Sequence, residues 1–198
     1  MNTMINYEIP IYTIGYGNRK IEDFLELLKK YQIRYLIDIR SSPYSKYNPN
    51  FSRNKLEAYL NSSNVCYVYM GDSLGGHPNI PSCYTDGKVD YNKLSQLNIY
   101  KRGVSRLCKA WEQKINVILL CSEAKPQECH RSKLIGVTLI EHGIDVIHID
   151  EKGEIKTQID IINKLTHGQM SFLSRSPIIA TSRKIYQKDD ELSKQTNY

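Results

Sequence analysis

Phenylalanine and tryptophan are scarce, with three Phe and one Trp among 198 residues. Long apolar runs are absent as well: none approaches the roughly 20 residues needed to cross a bilayer. Residues 1–10 lack the basic start and apolar stretch of a signal peptide, so a cytoplasmic protein with no membrane association is expected. No segment repeats, which removes solenoids and other arrays from consideration. The five cysteines, Cys66, Cys83, Cys108, Cys121 and Cys129, are odd in number and irregular in spacing. In a reducing compartment they are free thiols, and a disulfide framework is excluded.

Tyrosine, by contrast, is abundant, with 15 residues, and 27 Lys and Arg against 21 Asp and Glu leave a net charge of +6. Basic residues neutralise phosphates and aromatic faces stack on bases, so the pairing is compatible with nucleic acid. It is equally compatible with solubility conferred by charge and with tyrosine taking the place of phenylalanine. A composition of 40% hydrophobic and 24% charged residues is that of an ordinary globule, and this length suits one domain.

Five short apolar runs recur along the chain, at residues 11–14, 35–39, 65–69, 117–121 and 146–149. Each is rich in β-branched or aromatic residues, as suits strands buried on both faces of a parallel sheet. Between the first two, Ile21, Phe24, Leu25 and Leu28 fall on one face of a helix over residues 21–30. Further helices are expected over residues 53–61, 91–113 and 129–142, the last closed by Gly143. Strand and helix alternation predicts a single three-layer α/β domain, residues 1–167, with a mainly parallel sheet of about five strands. Residues 168–198 read as a polar tail, partly ordered or disordered.

Right-handed crossovers put the carboxyl ends of such strands on one edge, where open α/β folds bind ligands. A site is therefore expected among the segments that follow the strands. Gly15-Tyr16-Gly17-Asn18-Arg19 follows the first and offers backbone N–H groups to an anion. Asp38-Ile39-Arg40-Ser41-Ser42-Pro43 follows the second, and Gly71 to Pro78 the third. Cys121-Ser122-Glu123 and then Cys129-His130-Arg131 follow the fourth, and Asp150 the fifth. Two segments exceed ordinary loop length and suggest binding loops. One, residues 40–56, carries Arg40, Lys46, Arg53 and Lys55 with no acid and interleaves Tyr44, Tyr47 and Phe51; the other is residues 71–90.

Cys121 at a strand end, a loop and then Arg131 in a helix's first turn resemble the layout of cysteine phosphatases and rhodaneses. There, backbone donors and an arginine lower a thiol pKa and hold an oxyanion. The loop here is longer than in those phosphatases and contains no glycine, so Cys121 is open to a nucleophilic, auxiliary or purely structural role. Glu123 is the candidate for acid/base work, or else an ion-pair partner of Arg131 or Arg40. His130 and Arg131 oppose the helix dipole, a conflict that a bound phosphate or carboxylate would relieve. Asp38 and Arg40 alternate at the end of a buried strand, where a charge must be paired or functional. Zinc would draw on Cys121, Cys129, His130 and His148, but seven residues between the cysteines depart from structural spacing. No metal and no cofactor are therefore expected.

Thr13-Ile14-Gly15, Leu36 to Pro43 with Ser45 and Pro49-Asn50-Phe51, Leu74-Gly75-Gly76, Leu120 to Glu123 and Cys129-His130-Arg131 together resemble domain-of-unknown-function family 488. The resemblance runs from about Thr13 to Ile149. Tyr16 and Gly17 stand where that family usually has His and Ser. What the resemblance implies is the fold and a shared edge cluster, without a reaction. The functional expectation is an enzyme, a hydrolase or transferase, acting on an anionic substrate that is phosphate-bearing, nucleotide or nucleic acid. Glu123, Asp38 and Cys121 would be catalytic, Arg40, His130 and Arg131 would hold the anion, and Tyr44 or Tyr47 would stack on a base. Two alternatives stand beside it: a non-catalytic nucleic-acid-binding module and a small-anion sensor. Oligomeric state is left open.

Overall fold

The computed structural model describes residues 9–166, 168 and 177–186. The chain runs through β1 (Ile11–Gly15), α1 (Ile21–Lys30), β2 (Tyr35–Asp38), α2 (Arg53–Ser62), β3 (Cys66–Tyr69) and α3 (Gly71–Leu74). A two-residue hairpin, β4 (Tyr84–Thr85) and β5 (Lys88–Val89), leads into α4 (Tyr91–Gln96) and α5 (Asn98–Glu112). Then come β6 (Val117–Cys121), a π-helical segment (Arg131–Gly136) continuous with α6 (Val137–Glu141), β7 (Val146–Ile149), β8 (Ile155–Thr157), α7 (Gln158–Thr166) and α8 (Pro177–Ala180).

The main sheet has the order β3-β2-β6-β1-β7-β8, parallel throughout except for β8, which runs antiparallel to β7. The five runs recognised in the sequence are its parallel strands, and β8 is a sixth that sequence periodicity did not reveal. Its three residues, Ile155-Lys156-Thr157, lie at an edge, the outer two exposed and Lys156 half-buried, and carry no apolar pattern. Helices cover both faces, so the domain is three-layered. α1, α2 and Phe51 pack on the face presented by Ile14, Leu36, Ile118 and Leu120. α4, α5 and the 131–141 helix pack on the face of Ile37, Ile39, Leu119 and Cys121.

Two helical expectations need correction. The helix read over residues 91–113 is two helices, because Leu97 takes extended backbone (φ −66°, ψ 137°) between α4 and α5. The helix read from Cys129 begins at Arg131, since Cys129 is itself extended (φ −120°, ψ 150°). The helix expected over residues 53–61 is present as α2, so the long loop after β2 runs only to Ser52. The described part of the expected tail packs onto the domain: Ile179, Ala180 and Ser182 are buried, and Thr181 bridges Asp90. Residues 169–176 and 187–198 of that tail, and residues 1–8, lie outside the described residues.

A buried polar relay ties the 131–141 helix to the sheet. Thr13 Oγ1 lies 2.6 Å from His148 Nδ1, His148 Nε2 lies 2.5 Å from Gln158 Oε1, and Gln158 Nε2 donates to Ser132 O at 2.9 Å. Burial, reinforced by the nearby Arg131 cation, lowers the His148 pKa to about 3. Below its unfolded pKa of about 6.5 the unfolded chain takes up a proton that the folded chain refuses. Stability is therefore expected to fall by about 1.4 kcal/mol per pH unit between pH 6.5 and 3 on this account. Urea unfolding across that window checks it, and a flat profile there would contradict it.

Candidate active site

The carboxyl ends of β2, β6 and β1 lie side by side, with β6 between the other two. β6 is buried along its whole length, and its alternation decides where each candidate points. Cys121 follows Val117 and Leu119 toward the α4/α5 face. Asp38 is in register with Leu120, and follows Leu36 toward the opposite face. The strand period of two thus separates Asp38 from Cys121 across the sheet.

On the Cys121 face four chemical groups meet. Cys121 Sγ accepts from Cys129 Sγ at 2.6 Å and lies 2.8 Å from Glu123 Oε2. His130 Nδ1 is 3.6 Å from both sulfurs, and His130 Nε2 is 3.2 Å from Ile39 O. Cys121, Cys129 and His130 are buried, at 1%, 2% and 8% exposure. Extended backbone at Cys129 turns its sulfur back onto the end of β6, and the helix that follows carries His130 in. Gly76 is required beside them: a Cβ there would stand 2.5 Å from His130 Cγ and 2.6 Å from Nδ1, so only glycine lets that loop lie on the imidazole.

Electrostatics within the cluster favour ionisation of Cys121 over its neighbours. Burial opposes ionisation of Cys121, yet the hydrogen bond from Cys129 and the neighbouring His130 outweigh it, and the Cys121 thiol sits well below its usual range. Cys129 moves the other way, pushed far up by burial and by the Cys121 charge it bonds to. Glu123 is raised by burial and then by Cys121. His130 is raised despite burial, chiefly by Cys121.

A cleft of about 220 Å³ opens over this cluster. Cys121, Glu123, Cys129 and His130 line its inner end, and Glu128, His77, Arg183, Lys184 and Tyr186 line its mouth. Arg183 pairs with Glu128 at 3.1 Å, with its side chain half exposed, and the Tyr186 ring stacks on His77 at 4.1 Å. Arg183, Lys184 and Tyr186 were missed in the sequence. They belong to a polar stretch read as tail, and no local pattern marks them as returning to the strand ends.

The remaining candidates do not join the cluster. Asp38 accepts from Arg40 Nε and Nη2 at 2.8 and 2.6 Å and from Tyr67 Oη at 2.7 Å, while Arg40 Nη1 donates to Phe51 O. Arg40 lines the cleft, but its charge is already committed to a buried ion pair. Arg131 is fully buried and does not line the cleft. Its Nη2 donates to Ala124 O, and its Nε and Nη1 have no partner among the described residues. His130 and Arg131, adjacent in sequence, therefore point to different places. In the first loop, Tyr16 N, Gly17 N and Arg19 N are already bonded, to Cys121 O, Ser122 O and Tyr16 O. Tyr44 and Tyr47 are 69% and 98% exposed and stand outside the cleft lining.

The model of a family described as "Domain of unknown function DUF488" matches residues 20–138, a span that holds Cys121, Glu123, Cys129 and His130. No curated protein and no solved structure matches the chain. Among the described residues, no helix is long and apolar enough to cross a membrane.

Proposed function

The chain belongs to the DUF488 family, and we propose that it is an enzyme, a hydrolase or transferase, acting on an anionic, phosphate-bearing substrate at the carboxyl edge of its sheet. The observation that carries this reading is the meeting of a carboxyl, two thiols and an imidazole at the inner end of an open cleft. Groups so concentrated and so little exposed are costly to assemble for packing alone. Glu123 is the group that moves a proton, and the Cys121 end of the cleft is the reacting centre. Lys184 and Arg183 at the mouth hold the anion; the exposed Arg183–Glu128 pair is weak enough for an incoming phosphate to displace. Asp38, Arg40 and Arg131 then serve as scaffold.

The test is a panel of nucleotides, sugar phosphates and single-stranded oligonucleotides incubated with the full chain and followed by mass spectrometry. Consumption of one phosphate-bearing class is expected, with Arg183→Ala and Lys184→Ala raising KM more than they lower kcat. If no member of the panel is consumed, the reading fails.

A second reading, a nucleic-acid-binding module, draws on a specific observation: Tyr44, Lys46, Tyr47, Arg53 and Lys55 are all exposed on one acid-free stretch. Stacking faces interleaved with cations suit single strands. Changing Lys46, Arg53 and Lys55 together to Ala should then lower the slope of log affinity against log salt by about 2, at roughly 0.7 for each phosphate no longer neutralised. Gel shifts at several salt concentrations read this, and an unchanged slope would exclude that surface.

A further inference from the structure

We propose that Cys121, Cys129 and His130 form a metal site, and that its ion is Zn²⁺ with a fourth position open toward the cleft. The inference goes beyond the substrate reading above and is tested without any turnover. The ligand atoms, two Sγ and His130 Nδ1, all lie within 4.8 Å of one another in a buried pocket. Both sulfur–nitrogen distances are 3.6 Å. A tetrahedral zinc with Zn–S near 2.3 Å and Zn–N near 2.0–2.1 Å has sulfur–nitrogen edges of about 3.6 Å, so two of the three edges are already set. The third must open: the sulfurs stand 2.6 Å apart, and two zinc thiolates need about 3.8 Å. Small rotations of the two cysteine side chains supply that difference.

A second observation concerns the histidine. Its Nε2 faces Ile39 O at 3.2 Å, a carbonyl that can only accept, so Nε2 carries a proton and, in the neutral ring that binds a metal, the Nδ1 lone pair faces the sulfurs. A backbone carbonyl fixing the far ring nitrogen is the outer-shell arrangement that metal-bound imidazoles use. The Arg131 backbone N–H, 3.4 Å from Cys129 Sγ, supplies the kind of donor that steadies a thiolate ligand. Gly76 lies flat on the imidazole, which keeps the ring from swinging away.

The donor set selects the ion. Two thiolates and one imidazole are borderline-soft ligands suited to zinc, whereas calcium and magnesium require oxygen. Three protein ligands with one position left open are the pattern of catalytic rather than structural zinc. Glu123 Oε2, against Cys121 Sγ at 2.8 Å and on the cleft lining, stands beside that open position. On binding, any proton still held on a ligand sulfur or on His130 Nδ1 leaves to solvent as the Zn–S and Zn–N bonds form, so uptake releases protons and strengthens as pH rises.

The experiment uses the full chain, reduced and stripped with a chelator, then titrated with Zn²⁺ alone against a chromophoric competitor and separately with Co²⁺. One equivalent of zinc is expected, with cobalt giving the intense visible bands of tetrahedral geometry and thiolate-to-cobalt charge transfer in the near ultraviolet. Cys129→Ser and His130→Ala should weaken uptake by more than about tenfold; Cys83→Ser and Cys108→Ser should not. Should a ligand variant fail to fold, the cobalt spectrum of the unaltered protein still decides, since it reports sulfur ligation directly. Absence of uptake, a six-coordinate cobalt spectrum, or a Cys121–Cys129 disulfide that persists under reductant would each overturn the proposal. Stoichiometric zinc with no phosphate-bearing substrate consumed would sink the substrate reading alone. Consumption by protein that takes up no metal would sink the metal site alone.

Discussion

Glu123→Gln is expected to lower turnover of a phosphate-bearing substrate by about 10²–10⁴-fold, the usual contribution of a positioned general acid or base. The substitution keeps the shape of the side chain and a polar contact to Cys121, and removes only the capacity to carry a proton. Burial, and after it the Cys121 charge, already lift the Glu123 carboxyl above the ordinary range. That makes it a more willing proton carrier than a surface glutamate, held at the inner end of the cleft by contacts to Cys121 at 2.8 Å and Ser122 at 3.3 Å. Steady-state kinetics on whichever member of the panel is consumed provides the measurement. Melting temperature and zinc uptake should stay near those of the unaltered protein. A variant that loses stability along with activity would show that Glu123 holds the loop instead, and one with unchanged kcat would remove it from the chemistry.

Asp38→Ala is expected to destabilise the fold by about 3–5 kcal/mol, the cost of stranding one partner of a buried ion pair. Arg40 and Asp38 are 3% and 0% exposed and 2.6 Å apart. Removing the carboxylate leaves a guanidinium with no counter-charge and leaves the Tyr67 hydroxyl without its acceptor. The charge of Asp38, after burial, also pushes Tyr67 far above the normal phenol range, so that hydroxyl remains a donor at any physiological pH. For a chain of this size the loss corresponds to roughly 6–20 °C in melting temperature. Urea denaturation of Asp38→Ala, Asp38→Asn and the double change Asp38→Asn with Arg40→Met separates the causes. The double change should recover much of the loss, because an apolar replacement of a buried pair is often neutral or better. If Asp38→Ala abolished turnover with stability intact, Asp38 would be part of the chemistry after all.

These two acids show how far the sequence can be followed. Asp38 and Glu123 both sit at the ends of buried strands, and a linear reading has equal reason to place either in the site. The separation comes from register. Asp38 pairs with Leu120, one residue before Cys121, and a shift of one residue in a strand reverses the face to which a side chain points. Register is a property of two strands aligned by the whole sheet, and neither strand carries it alone. The same limit applies to Arg131, whose neighbour His130 reaches the sulfurs while Arg131 runs to Ala124 O.

The amino-acid sequence by itself determined the class of fold and the edge on which polar groups gather. Strand runs such as Val117 to Cys121 and amphipathic helices such as Ile21 to Lys30 are local patterns, and right-handed crossovers follow from the chirality of the chain. It also marked Cys121, Glu123, Cys129 and His130, because reactive residues cluster beside a strand end. Tertiary structure alone decided which of the marked residues share a pocket. Seven residues between two cysteines argue against a common ion when counted along the chain; folding turns Cys129 back so that its sulfur lies 2.6 Å from that of Cys121. Arg183, Lys184 and Tyr186 reach the cleft only because residues 177–186 pack beside β5 and the Asp90 bridge. Such long-range placement depends on the surface that the rest of the core presents, and no window of neighbouring residues contains it.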